Sequence, residues 1–334
     1  MKIAVISDFN IAGQPTALAS AINKYTNHQA RCIIAHDDSF AYDKDIILKS
    51  NMNWIKEACE EATAWAKQCD FFHFGRGIFD WPGVEWNRNV LNKNNCCIKY
   101  YGSELRTGWQ TIKKFHETTG FSAITGTDWS ITGHLLGSFY HLGSYFTKYG
   151  DMDIKEIPCC SQKGNGPLKI SAGSAGSPYK GYEFLNQTIQ ELQEEGVKVE
   201  LQILSQLSNE ECLKKKLESQ VTFTSLHGAW GISGIESMWQ GQVVMSCIDP
   251  WMMTFYPNNP TVTICKENLK DQIRKLAQMN SNDLATLGAA TRDFVAFNFN
   301  TKIILKRYLY LIDLIRHIDT YMNGGRLPEI IYEF

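Results

Sequence analysis

Residues 169–185 read KISAGSAGSPYKGYEFL, residues 197–204 read VKVELQIL, and residues 225–246 read SLHGAWGISGIESMWQGQVVMS. Leu168 to Ala172 and Val197 to Leu204 are short apolar runs of strand length. Between them Tyr182, Leu185, Ile189 and Leu192 recur at spacings of three and four, which predicts a crossover helix over 182–195. Strand, helix, strand is a βαβ unit and implies a parallel sheet. The joining loops are rich in Gly and Ser and lead into helix N-termini. Free N–H groups and the helix dipole favour an anion there. One loop carries Lys180; a later one, Gly228 to Gly234, leads to Glu236 on the first turn of a helix. A cation at one loop and a carboxylate at the other suit a nucleoside diphosphate. The cation meets the phosphates and the carboxylate accepts from the ribose hydroxyls.

The rest of the chain is consistent with two such domains. Its 334 residues suffice for two, and 44% hydrophobic against 20% charged residues describes a globular protein with real cores. A net charge of -2 gives no basic excess that points to nucleic acid and no acidic tail. The ten cysteines include no CxxC pair and read as buried thiols of a reducing cytosol, so a cytoplasmic protein is expected. MKIAVISDF at the start reads as a strand rather than a signal peptide. No apolar run is long enough to span a bilayer, which leaves peripheral membrane contact open. The histidines and acids form no tight metal motif, so no metal ligand is assigned.

Ile3 to Ser7 predicts a buried first strand, followed by a turn holding Gly13 and a helix opened by Pro15. Further strands are expected at 31–35, 71–74, 96–101, 122–126 and 154–158, with a helix over 53–68. SQKGNGP, residues 161–167, is the clearest linker. It divides a first domain, 1–160, from a second, 168–310, whose later strands fall at 221–225, 243–247 and 261–265. Helices follow at 267–279, 282–297 and 303–321. His73, near a strand end among aromatics, reads first as a packed core residue and second as a catalytic one. Glu104 and Arg106 read equally as a surface ion pair on a turn and as site residues.

Lys180-Gly181, Ala229-Trp230-Gly231 running on to Glu236, Gly241 and Val243-Val244 resemble the nucleotide-binding half of the retaining family-four glycosyltransferases. The resemblance is close over the middle quarter of the chain and loose elsewhere. It implies the GT-B fold: two Rossmann-like domains facing each other across a cleft, with the last helix, 311–334, returning to the first domain. It implies transfer of a sugar from a nucleotide-diphosphate sugar, with retention, without metal and with no cofactor beyond the co-substrate. It assigns Gly13, Ser174, Lys180, Trp230, Gly231, Ile232, Ser233 and Glu236 to the donor, and His73, Glu104 and Lys180 to catalysis.

Three positions depart from the family pattern. Gly228 stands where many relatives carry a glutamate, Ala175 where they carry an arginine, and Tyr101 where they carry a histidine. These departures keep other readings open: a catalytically silent GT-B protein acting as a binding partner, a sugar-nucleotide epimerase, or a transferase that glycosylates modified nucleic-acid bases. Donor base, sugar and acceptor are not legible.

Overall fold

The structure is a computed structural model that describes residues 1–36, 45–87, 90–100, 103–125, 139–141, 146–173, 180–227, 230–248 and 250–322. The chain divides into two compact units, Met1–Phe146 with Thr301–Phe334, and Thr147–Asn300.

The first unit is built on a sheet of eight strands: β1 (Lys2–Phe9), β2 (Gln29–His36), β3 (Ile46–Ser50), β4 (Asn53–Trp54), β5 (Phe71–Gly75), β6 (Cys96–Tyr100), β7 (Ser122–Thr125) and β8 (Phe139–His141). Their order is β4-β3-β2-β1-β5-β6-β7-β8, and every pair but β3–β4 is parallel. Helices α1 (Gln14–Tyr25), α2 (Lys56–Ala66) and α3 (Ser103–Thr119) make the crossovers. Ile3 to Ile6 in β1 are wholly buried, as a parallel strand covered on both faces requires. The strand order reverses between β1 and β5, which makes this a doubly wound sheet.

The second unit repeats the plan with β9 (Leu168–Gly173), α4 (Tyr182–Glu194), β10 (Val199–Leu204), α5 (Asn209–Lys216), β11 (Val221–Ser225), α6 (Gly231–Trp239), β12 (Val243–Ser246), α7 (Pro250–Phe255), β13 (Val262–Thr263), α8 (Leu269–Gln278) and α9 (Ser281–Asn298). Its sheet is all parallel in the order β10-β9-β11-β12-β13. Leu185, Ile189 and Leu192 of α4 are buried in one core with Ile170, Phe223 and Met245 of the strands. The apolar stripe read from the sequence is therefore the face that covers the sheet.

Some elements differ from the sequence reading. Residues 154–158, expected as a strand, form a turn whose carbonyls of Ile154 and Ile157 accept from Arg292. Residues 147–160, expected with the first domain, belong to the second unit. Within it Cys160 N–H donates to Gln240 O at 2.8 Å, and Gln240 Nε2 donates to the Tyr149 hydroxyl at 2.8 Å. The helix expected to open at 53 is preceded by the β3–β4 hairpin. Helix α10 (Thr301–Arg316) follows the second unit in sequence and packs in the first, against α1.

One contact between backbones is unusually close. A Cβ at Gly288 of α9 would lie 2.1 Å from the carbonyl oxygen of Gly241, in the turn before β12. Neither backbone has a flexible end that can yield. Gly288→Ala is expected to destabilise the second unit by about 3 kcal/mol. A thermal melt with an unchanged midpoint would contradict this packing.

Candidate functional site

In the second unit the strand order reverses between β9 and β11, and ligands of open α/β sheets bind beyond the carboxyl ends of the strands at such a point. Three groups meet there. Lys180 closes the segment after β9, and its carbonyl accepts from Leu226 N–H at 3.0 Å, just past β11. Gly181 follows with φ +81°, and a Cβ there would lie 2.6 Å from Leu226 Cδ1, so the lysine is followed by the one residue that fits. Helix α6 starts at Gly231 with no side-chain cap among the described residues. The Ser233 hydroxyl sits over the end of β9, 3.7 Å from where a Cβ on Gly173 would be.

The ammonium of Lys180 has no hydrogen-bond or ion-pair partner among the described residues. Burial lowers its pKa, and repulsion from the Lys216 ammonium lowers it further. A half-buried cation with no partner among the described residues and a helix N-terminus each favour an anion, and both belong to this carboxyl edge of the sheet.

Glu236, expected to hold a ribose, is only 5% exposed. Its Oε1 accepts from Asn209 Nδ2 at 3.0 Å and its Oε2 from Lys216 Nζ at 3.1 Å. Lys216 is 1% exposed and also donates to the Ser233 carbonyl at 2.9 Å. Sequence reasoning missed Lys216 and Asn209. Their signal was a stripe at spacings of four and three, Asn209, Leu213, Lys216, on a helix that the polar run around it concealed. Trp230, expected at the donor, packs against Tyr256, Phe294 and Phe299, and its indole N–H donates to Thr261 Oγ1 at 2.7 Å. Its ring serves the core, so only its backbone is left for a ligand. Ser174 lies outside the described residues, as do Ala175 and Gly228.

The remaining expected residues belong to the first unit. His73 is 2% exposed, with Nδ1 3.1 Å from the Tyr308 hydroxyl of α10 and 3.4 Å from Cys97 Sγ. Burial, with a smaller contribution from the buried Lys99 ammonium, holds its pKa down at about 3. A ring so weakly basic stays neutral at ordinary pH and is a poor proton acceptor. Gly13 ends the β1–α1 turn, and its N–H donates to Asn10 O at 3.0 Å. At the same carboxyl edge Arg76 pairs with Asp8 at 3.2 Å. Glu104 is on the first turn of α3; its side chain lies outside the described residues.

Two cavities lie at the opposite, amino edges of the sheets. One of about 600 Å³ is lined by Thr63, Lys67, Phe72 and Trp86, and one of about 170 Å³ by Cys160, Gln220, Gly241 and Arg292. No group of three or more His, Cys, Asp or Glu among the described residues is arranged to hold a metal ion. No helix among them is long and apolar enough to cross a membrane.

No family model and no curated protein sequence matches this chain. Solved structures do match in shape. HepE of Anabaena, in complex with UDP and glucose, superposes with a TM-score of 0.59 at 10% identity, over 93% of this chain and 99% of that one. An alpha-glucosyltransferase in complex with UDP and a 13-mer DNA containing an HMU base gives 0.57 at 10% identity, over the same 93% and 99%. The S. aureus MnaA–UDP structure gives 0.51 at 12% identity, over 99% of both chains. At such identities the likeness establishes the fold, two Rossmann-like units in the GT-B architecture.

Proposed function

We propose that this chain is a glycosyltransferase that takes its sugar from a uridine diphosphate sugar bound at the carboxyl edge of β9 and β11. The observation that carries the reading is the Lys180 ammonium, without a partner among the described residues, at the carboxyl edge where α6 starts with no side-chain cap. Support for the uridine base comes from the neighbours of the same fold, which hold UDP. Lys180 neutralises the diphosphate as the sugar–phosphate bond breaks and charge collects on the leaving oxygen. The N–H groups of Gly231, Ile232 and Ser233 bind the same phosphates. Glu236 accepts from the ribose.

Transfer proceeds with retention and without metal or cofactor. The leaving phosphate takes the proton of the acceptor on the same face of the sugar, so no side-chain nucleophile is needed. Gly13 and Ser174 keep the donor-binding role, and Glu104 the catalytic role, that the family resemblance assigns them. His73, buried and weakly basic, supports the sheet rather than moving a proton.

Release of UDP from UDP-glucose tests the activity. Turnover by the wild-type chain that falls in both Lys180→Ala and Glu236→Ala is the expected result. Equal hydrolysis in all three proteins would overturn the site, and none in any of them would favour a silent GT-B protein. A base in DNA as acceptor is a second reading, favoured by the neighbour bound to HMU-containing DNA. The net charge of -2 gives that reading no general attraction for a polyanion. DNA containing the HMU base, offered as acceptor, checks it by transfer of labelled glucose.

A further inference from the structure

We propose, on the nucleotide reading above, that helix α5 is a clamp that sets Glu236 to recognise the ribose 2′-hydroxyl, with Lys216 as its positioning residue. Asn209 and Lys216 are the first and last residues of α5, two turns apart on one face with Leu213 between them. Both reach the same carboxylate, Asn209 at Oε1 and Lys216 at Oε2. The neighbouring lysines differ: Lys214 pairs with Glu210 and Lys215 with Glu218 at the surface.

The helix is itself fixed at both ends. Ser208 and Glu211 form a reciprocal cap at its start. At its end Gln242 Nε2 donates to the carbonyls of Lys216 and Ser219, at 2.8 Å each, and Gln240 Nε2 donates to Leu213 O. Lys216 also holds the Ser233 carbonyl, so one ammonium ties the carboxylate to the first turn of α6.

An ionised carboxylate accepts at about four lone-pair sites. Among the described residues each oxygen has one partner, so a second acceptor site on each remains. Two fixed acceptors side by side match the two neighbouring hydroxyls of a ribose and repel a phosphate. A buried ion pair is a weak source of stability, because its desolvation offsets its attraction. Here it has a second use, as a support for an acceptor pair.

Titration calorimetry with UDP and 2′-deoxy-UDP tests the clamp in the wild type, Lys216→Met, Lys216→Arg and Asn209→Ala. The wild type is expected to prefer UDP by about tenfold or more. Lys216→Met is expected to bring the two ligands near parity while 2′-deoxy-UDP binding changes little, and Lys216→Arg to restore part of the preference. Asn209→Ala, which removes one hydrogen bond and no charge, is expected to lower the preference and serves if Lys216→Met does not fold. An undiminished preference in folded Lys216→Met overturns the clamp, as does an undiminished preference in Asn209→Ala where Lys216→Met does not fold. Equal binding of both ligands by the wild type also overturns it, yet leaves the diphosphate site standing. Binding of neither overturns the nucleotide reading as well.

Discussion

Lys180→Ala is expected to weaken UDP binding about thirtyfold while leaving the melting temperature almost unchanged. A hydrogen bond from a charged donor contributes about 1.5–3 kcal/mol, and each 1.4 kcal/mol is about tenfold in affinity. The fold loses little, because the ammonium has no partner among the described residues to leave behind. The effect on binding carries a pH signature. In the free protein the Lys180 pKa is lowered by burial and then by Lys216. A bound diphosphate favours the charged form and raises it again. UDP affinity therefore declines as pH rises through the lowered pKa, earlier than for an ordinary lysine, and binding there takes up a proton. Binding enthalpies in buffers of different ionisation heat measure that uptake. The alanine variant is expected to lack it, and an identical uptake in both proteins would contradict the assignment.

His73 is expected to make the first unit sensitive to acid. The unfolded chain takes up a proton at this ring below its ordinary pKa of 6.5, whereas the buried ring resists down to about 3. Between those two values the unfolded state binds more protons, so stability falls as pH falls. At pH 4 the loss is about 3 kcal/mol, and it approaches about 5 kcal/mol once the ring is protonated in both states. His73→Gln removes the titration and keeps an acceptor for Tyr308. Its stability is expected to change about 3 kcal/mol less between pH 7 and pH 4 than that of the wild type. Hydrogen exchange at the β5 amides measures this, and equal acid sensitivity in the two proteins would refute it.

Legibility in the sequence followed the source of each element's order. β1, β9, β11 and α4 are specified by their own apolar spacing, which any window of the chain exposes. Helix α5 is not, because few of its residues are apolar. Helix α5 owes its place to Ser208, Gln240 and Gln242, contacts that a local pattern does not contain. The turn over 154–158 resembles a strand by its isoleucines, while its backbone partner, Arg292, lies far along the chain. At the candidate site Lys180-Gly181 was readable because the glycine answers to a left-handed backbone against Leu226. Glu236 was readable as a residue but not in its setting, since Lys216 stands 20 residues earlier, in a lysine run that reads as solvated. His73, read first as a core residue from its place near a strand end among aromatics, is buried against Tyr308.

A crystal structure of the full chain soaked with UDP puts the central claim to its most direct test. The expected result is density for the diphosphate within hydrogen-bond reach of Lys180 Nζ and the N–H groups of residues 231–233, with the ribose on Glu236. UDP seated instead at the amino edge of either sheet, beside Trp86 or Arg292, would contradict it.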